Sequence, residues 1–152
     1  MRVSAKADYA LRAAAELAAA TGGRPVKGER IAEAQHIPLK FLENILSELK
    51  HGGIVRSQRG AEGGYWLAHP ADQITIADVI RVVDGPLANV RGLRPESVEY
   101  GGNAKHLLEV WVAVRASLRG VLERVTLADL VAGALPEVVH DLTADPEAWL
   151  SH

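Results

Sequence analysis

The spacing of apolar residues predicts a mainly α-helical chain that is interrupted by one short β-hairpin. The first helix runs from Ser4, a suitable N-cap, to about Ala20, and it is rich in alanine. The segment Thr21-Gly22-Gly23-Arg24-Pro25 ends it. Because alanine side chains are small, this helix can pack closely against its neighbours. Its expected buried face consists of Ala10, Leu11, Ala14, Leu17 and Ala18.

Two short helices joined by a turn form a helix-turn-helix pattern between Val26 and Gly53. The first covers residues 29–34, with Ile31 and Ala34 expected to face inward. The turn is Gln35-His36-Ile37-Pro38, where we expect His36 to be left-handed and to have a structural role. The second helix ends at Gly52-Gly53. Its apolar positions are Phe41, Leu42, Ile45, Leu46 and Leu49.

The polar face of the second helix is a candidate DNA-reading surface. In a helix-turn-helix protein, such a face meets base edges in the major groove. The alternative is an ordinary solvated helix face, and the segment that follows favours DNA. The polar face consists of Lys40, Glu43, Asn44 and Ser47.

Residues 54–68 read as two short strands around a glycine-rich turn, with Arg59 at the tip. Apolar and polar side chains alternate on both sides of the turn. Gly60, Gly63 and Gly64 allow positive φ and a close approach of the backbone to another surface. An arginine on such a tip suits insertion into a narrow, negatively charged groove. The hairpin therefore predicts the wing of a winged helix-turn-helix protein.

The longest predicted helix spans residues 103–125, after a short helix from Thr75 to Val83 and a loop over 87–102. A helix of about 20 residues spans about 30 Å, which is too long for so small a domain to cover. We therefore expect pairing with the same helix of a second copy; the alternative is a helix packed within its own subunit. The expected seam has heptad spacing and consists of Leu107, Trp111, Val114, Leu118, Val121 and Val125.

The predicted fold is mainly α with a small β-hairpin wing: a winged helix-turn-helix plus a long C-terminal dimerisation helix. Residues 1–84 would form the DNA-binding domain and residues 85–102 a loop. Residues 103–132 would hold the dimerisation helix and a short terminal helix over 126–131. Residues 133–152 read as an acidic tail, which docking of Trp149 would partly order.

Charge and composition agree with a DNA-binding protein of the cytoplasm. The net charge of −2 divides into +3 over residues 1–69 and −5 over residues 70–152, so the basic half carries the winged helix. The sequence has no cysteine, which excludes disulfides and thiolate chemistry. No signal region follows Met1, no segment is apolar enough for a membrane span, and no catalytic motif occurs. We expect neither membrane association nor enzymatic activity.

Several segments resemble the Rrf2 family of dimeric winged-helix bacterial transcription factors, which includes IscR, NsrR and CymR. The resemblance covers roughly residues 1–132, and its wing motif is highly specific. The segments that carry it are MRVSAKADYALR (1–12), IAE (31–33), FLENIL (41–46), RGAEGGYWL (59–67) and ITIADVI (74–80). The resemblance implies a homodimer on a near-palindromic operator in double-stranded DNA. Candidate DNA-contacting residues are Ser4, Lys6, Lys40, Phe41, Glu43, Asn44, Ser57, Arg59 and Gly60.

Many members of this family hold an iron–sulfur cluster on three cysteines in the loop before the long helix. Here Gly92 stands where the first cysteine is expected, so we expect no cluster, no metal and no other cofactor. Asp8 matches a carboxylate ligand of NsrR-type members, but a surface charge is the expected role here. The six histidines have no i,i+3 or i,i+4 pair that could grip a metal from one helix.

Among cysteine-poor members the resemblance is greatest to CymR, through DVIRVVDGPL (78–87) and a loop without cysteine. It implies a repressor of cysteine and sulfur metabolism that partners the cysteine synthase. That enzyme accepts a C-terminal isoleucine, whereas this sequence ends in Trp149-Leu150-Ser151-His152. Two alternatives remain: a protein-interaction modulator of a metabolic enzyme, and a repressor of another pathway. The latter would sense a small molecule between loop 87–102 and the long helix.

Overall fold

The computed structural model describes residues 1–20 and 22–152, so the predicted break at Thr21 begins outside the described residues. The α-helices are α1 (Ala5–Ala19), α2 (Gly28–Gln35), α3 (Leu39–His51), α4 (Ile76–Asp84), α5 (Leu107–Leu122), α6 (Leu127–Ala132) and α7 (Glu137–Thr143). Strands β1 (Val55–Gln58) and β2 (Gly64–Leu67) pair antiparallel. Short 3-10 turns lie at Ala71–Gln73, Pro95–Ser97, Gly102–Ala104 and Pro146–Trp149. The mainly helical class with one hairpin is confirmed.

Helix α1 lies at the centre of the core, in contact with α2, α3, α4 and α6. Ser4 caps it as predicted, because its side chain accepts a hydrogen bond from the Ala7 amide. The buried side chains of α1 are Ala7, Ala10, Ala13, Ala14 and Leu17. The predicted face was slightly misplaced, since Leu11 and Ala18 are only half-buried at its margin. Alanine suits the axis of the bundle because four helices approach it.

Two apolar positions of the helix-turn-helix differ from the prediction. Ala34 is exposed, and Ala32 beside Ile31 is buried instead. On α3, Phe41 keeps 44% of its surface exposed. The core of α3 is formed by Leu42, Ile45, Leu46 and Leu49.

The wing has a third element that the sequence pattern did not predict. Val26, just before α2, forms an antiparallel bridge to Tyr65 of β2, with N···O distances of 2.8 Å in both directions. Within the hairpin, Val55 pairs with Leu67 and Gln58 with Gly64. A two-stranded hairpin alone is marginally stable in water. The bridge therefore fixes the wing to the helix-turn-helix.

Helices α4 and α6 begin side by side in a pair of matching caps. Thr75 accepts from the Asp78 amide and Thr126 from the Asp129 amide, and each aspartate bonds back to its threonine's amide. Thr75 and Thr126 form an antiparallel bridge. The sequences ITIADV (74–79) and VTLADL (125–130) match position by position. This related pair of segments was not noticed in the sequence pattern.

The long helix ends earlier than predicted, because the residues after it pair with the start of α4. Helix α5 ends at Leu122, and the carbonyl of Val125 accepts a hydrogen bond from the amide of Ile76 at 2.9 Å. Val125 is 6% exposed inside its own subunit, so it does not belong to a helical seam. The start also differs, because the backbone turns at Gly102 (φ 57°) and α5 begins at Leu107. The helix spans about 24 Å rather than 30 Å.

The C-terminal segment is more regular than the predicted acidic tail, since α7 and a 3-10 turn occupy most of it. The indole N–H of Trp149 donates to the carbonyl of Thr143 at 2.8 Å, yet 74% of Trp149 is exposed. Trp149 therefore ties the final turn to α7 without entering the core. No helix of the described residues is long and apolar enough to cross a membrane.

Candidate nucleic-acid interface

The turn between α2 and α3 is fixed by a left-handed residue, as predicted. His36 has φ 53° and ψ 45°. The Ile37 amide donates to Ala32 and the His36 amide to Glu33, which is the Schellman arrangement of a helix C-terminus. Ile37 is 3% exposed and covers the end of α2. These contacts set the angle at which α3 leaves the turn.

The predicted polar face of α3 is solvent-exposed. Since the opposite face is buried in the core, α3 can present only this side to a ligand. The exposed residues of this face are Lys40, Glu43, Asn44 and Ser47. Phe41 lies at its margin, with its ring 5.6 Å from that of Tyr9 at 86°. The Arg12 guanidinium lies over the Tyr9 ring, 4.6 Å from its centroid. Phe41 thus also joins α3 to α1.

The glycines of the wing have two separate functions. A Cβ at Gly63 would lie 2.1 Å from the Gln58 carbonyl, and one at Gly64 would lie 2.6 Å from the Val26 carbonyl. The close approach expected from these glycines is therefore to the protein's own backbone. Gly60 has open space around it and a φ of 101°, so it serves the turn itself. Lys27 donates to the Gly60 carbonyl at 2.9 Å and supports the tip.

The wing and α3 enclose a groove of about 260 Å³. Ser57 and Arg59 of the wing line it together with Ser47 of α3. The other candidates on α3 and the wing do not line it; they are Lys40, Phe41, Glu43, Asn44 and Gly60. Lys50, which was not among the predicted site residues, also lines the groove. Its spacing from Glu43 and Ser47 along one helical face was the available signal. Arg59 is exposed and forms no ion pair within the described residues.

Two further candidates lie outside this groove, at the start of α1. The Ser4 hydroxyl donates to an Asp84 carboxylate oxygen at 2.5 Å while it caps α1. Lys6 forms an ion pair with Glu48 of α3 at 3.3 Å. Both side chains therefore have partners in the protein, which a phosphate contact would have to replace. Asp8 pairs with Arg12 at 3.1 Å, in keeping with a surface charge.

The candidate dimerisation residues lie on α5, where no side chain is fully buried. Leu107, Trp111, Val114, Leu118 and Val121 are half-buried in the single chain. Part of this face contacts the chain's own loop, because the Trp111 indole donates to the Tyr100 hydroxyl at 3.0 Å. Val110 beside it is 50% exposed. Such partial cover leaves apolar area on α5 for a second copy.

The loop before α5 does not fit an iron centre. The chain has no cysteine, and Gly92 lies in a turn closed by the Val90–Leu93 bridge. Among residues 1–20 and 22–152, no group of three histidine, cysteine, aspartate or glutamate side chains could hold a metal ion. Iron–sulfur clusters are held mainly by cysteine thiolates.

Comparison with known proteins agrees with this geometry. Residues 3–133 match the Rrf2 family model, which is described as an iron-dependent transcriptional regulator. Rv1287 of Mycobacterium tuberculosis, provisionally named an HTH-type transcriptional regulator, is 52% identical over 97% of this chain and 92% of its own length. CymR of Bacillus subtilis is 37% identical over 87% of this chain and 91% of its own length.

Solved structures give the same picture of the fold. The structure of B. subtilis CymR, described as the global cysteine regulator, covers 88% of this chain and 98% of its own, with a TM-score of 0.74 and 36% identity. The T. potens IscR structure covers 100% of this chain and 93% of its own, with a TM-score of 0.71 and 32% identity. The winged helix-turn-helix prediction is thereby confirmed.

Proposed function

Because the chain belongs to the Rrf2 family and is a DNA-binding transcriptional regulator, we propose that it acts as a homodimeric repressor on a near-palindromic operator. One observation carries the proposal: Ser47 and Lys50, at the C-terminal part of the exposed face of α3, line one groove together with Arg59 at the tip of the wing. Helix α3 would enter the major groove, and Arg59 would reach the adjacent minor groove or the phosphates. The fold fixes the distance between these two elements.

Within this interface the residues have different tasks. Asn44 and Glu43 on α3 would read base edges, because an amide can pair with adenine and a carboxylate can accept from cytosine. Lys40, Lys50 and Arg59 would neutralise phosphates or enter the minor groove. Ser4 and Lys6 at the start of α1 would contact the backbone beside it, and Lys6 would leave Glu48 to do so.

The second subunit would pack on α5. A two-fold dimer places two α3 helices on successive half-sites one or more helical turns apart. The seam we propose now consists of Leu107, Trp111, Val114, Leu118 and Val121, without Val125. We further propose that the operator controls genes of cysteine or sulfur metabolism, since the CymR relative is named as a cysteine regulator.

We propose that regulation proceeds without an iron–sulfur cluster. Protein purified under anaerobic conditions should be colourless, and its DNA affinity should not respond to oxygen or nitric oxide. Stoichiometric iron together with a visible absorption band would contradict this proposal. The supporting observations are the cysteine-free sequence and the loop at Gly92.

A second function, modulation of a metabolic enzyme by direct contact, is favoured by the exposed apolar residues near the C-terminus. Leu142, Trp149 and Leu150 are 56%, 74% and 57% exposed. Co-elution with purified cysteine synthase would test it, with a variant lacking residues 134–152 as the control. If the truncated variant still co-elutes with the enzyme, or if the full chain does not, residues 134–152 do not form the contact.

The main experiment selects bound fragments from genomic DNA of the source organism and then measures affinity by fluorescence anisotropy. Arg59→Ala should weaken binding to the selected duplex by about 1–3 kcal/mol per half-site, because the cation at the wing tip is lost. Arg124→Ala removes an exposed cation at the end of α5 and is the matched control. If Arg59→Ala binds as wild type does, the wing does not enter the groove of DNA.

A further inference from the structure

Four arginines line a cleft to which the described residues of the wing do not contribute. The cleft has a volume of about 500 Å³ and lies between the end of α4, the loop that follows it and α5. Arg81, Arg94, Arg115 and Arg119 line it together with Glu96. We propose that this cleft binds a small metabolite carrying at least two negative charges on phosphate, sulfate or carboxylate groups.

Among the described residues, the arginines of the cleft outnumber the carboxylates that pair with them. Arg115 pairs with Glu96, and Glu123 accepts from both Arg81 and Arg119, the latter at 2.9 Å. Arg94 forms no ion pair within the part of the chain that the structure describes. The four guanidinium groups thus have two carboxylates as ion-pair partners, of which Glu96 lines the cleft and Glu123 does not. Guanidinium groups stay protonated at any physiological pH. A dianion would neutralise the excess.

The carboxylates of Glu96 and Glu123 are ionised at neutral pH, and they already accept hydrogen bonds from some of the arginine N–H groups. A backbone hydrogen bond and one from Arg115 lower the pKa of Glu96. Hydrogen bonds from Arg81 and Arg119 lower the pKa of Glu123. A ligand must therefore compete with two carboxylates or use the remaining N–H groups. Each guanidinium has five N–H donors, so one carboxylate leaves several of them available.

The shape of the cleft favours a small organic anion over a macromolecule. Its volume lies within the range of about 300–1,000 Å³ that is usual for metabolite sites. The arginines come from three segments, so a ligand would be held from several sides by planar forks that match oxyanion geometry. Pro86, Leu87 and Ala88 also line the cleft, and their apolar side chains could contact a carbon skeleton. No residue of α3, β1 or β2 lines the cleft, so it is separate from the groove between the wing and α3.

The position of the cleft suggests how a ligand would act on DNA binding, a consequence that rests on the proposed function. Arg81 belongs to α4, which packs on α1 and whose last residue, Asp84, bonds to Ser4. Arg115 and Arg119 belong to α5, the proposed dimerisation helix. Glu123 pairs with Arg81 of α4 and with Arg119 of α5. An anion that draws these arginines away from Glu123 would therefore change the contact between α4 and α5. By linkage, DNA would change the affinity for the anion equally.

The test uses pyrophosphate and citrate as probes in isothermal titration calorimetry on the full chain without DNA. We expect saturable binding of at least one probe, and which of them binds separates phosphate-type from carboxylate ligands. Arg94→Gln and Arg119→Gln should each weaken it about tenfold, as expected for the loss of a charge-assisted hydrogen bond. Arg124→Gln, a charge loss outside the cleft, and Arg59→Ala in the wing should leave it unchanged.

Three results would overturn the site. The first is a heat no larger than that of sodium chloride at matched ionic strength. The others are a loss of anion affinity in Arg124→Gln equal to that in the cleft variants, or a loss of anion affinity in Arg59→Ala. A second measurement adds the probe that binds to the complex with DNA and records the change in DNA affinity. Anion binding with unchanged DNA affinity would keep the site and refute its regulatory effect. Failure to bind DNA at all would refute the proposed function and leave the calorimetric result standing.

Discussion

Glu43 is the residue whose charge is most unusual for its position. It lies exposed on the face of α3 that we propose enters the major groove, where the DNA phosphates repel a carboxylate. Such a residue contributes to specific binding only where it accepts a hydrogen bond from cytosine N4. Glu43 would therefore increase the preference for the operator over other sequences, while it lowers the affinity for DNA of any sequence.

Replacing Glu43 with alanine should narrow the difference between specific and scrambled duplexes. We expect affinity for the scrambled duplex to stay equal or to rise, and the preference for the specific one to fall by about 1–3 kcal/mol. Anisotropy titrations at one fixed salt concentration measure both. Glu109→Ala removes the same charge from an exposed site on α5 and controls for net charge. If both affinities fall equally in Glu43→Ala, the residue supports the fold and not the readout.

Gly64 shows what a sequence motif can and cannot convey. The motif predicted a glycine-rich turn, and the hairpin is where it was expected. The reason for Gly64, however, is the Val26 carbonyl, which comes from a segment almost forty residues earlier in the chain. Contacts of this kind depend on the tertiary fold, so local spacing could not predict them. The spacing of Lys50 placed it on the polar face of α3, but only the fold shows that it lines the same groove as Arg59.

Gly64→Ala should therefore loosen the wing. The added Cβ would lie 2.6 Å from the Val26 carbonyl, and φ at this position is 151°. We expect a loss of about 1–3 kcal/mol in the free energy of unfolding, together with weaker DNA binding. Denaturant titration and anisotropy measure the two effects. Gly101→Ala is the control, because open space surrounds Gly101. Equal stability of the two variants would show that the Val26–Tyr65 bridge does not restrain the wing.

At the scale of elements, periodicity predicted the helices well and their ends less well. The caps at Ser4 and Thr75 were recognisable because capping is local. The end of α5 was not, since apolar spacing continues to Val125 while the backbone leaves the helix to pair with α4. Residues 133–152 were read as a tail because acidic composition hid the short helix α7.

The matched caps of α4 and α6 give a prediction at this scale. Thr126→Ala removes the side-chain acceptor for the Asp129 amide and should cost about 1 kcal/mol of stability. For a chain of this size that corresponds to a fall of about 2–4 °C in Tm. Thr143→Ala is the control, because its hydroxyl bonds only to exposed carbonyls of α7. Equal Tm values for both variants would contradict a structural role for this cap.

At the scale of the whole molecule, charge is divided unequally between the two halves of the chain. The excess of positive charge lies in residues 1–69, with the winged helix, while the remainder is acidic. Such a distribution favours approach to DNA through the wing and limits non-specific contact elsewhere. The sequence analysis offered a small-molecule site between loop 87–102 and the long helix as an alternative. No spacing indicated the four arginines of the cleft, because they are spread over residues 81–119 and line one cavity only in the folded chain.

The proposed dimer is tested through Leu118. Its side chain is half-buried in one chain, on a helix with no fully buried residue, so a charge there is tolerated by the monomer and not by a two-fold seam. Leu118→Glu should leave the circular dichroism spectrum unchanged and convert a dimer into a monomer in sedimentation experiments. Because two linked half-sites bind far better than one, DNA affinity should fall by about 100-fold or more. Ser117→Glu adds the same charge at an exposed neighbouring position and should remain a dimer. A Leu118→Glu dimer of unchanged stability would refute the seam, and a monomeric wild type would refute the dimer itself.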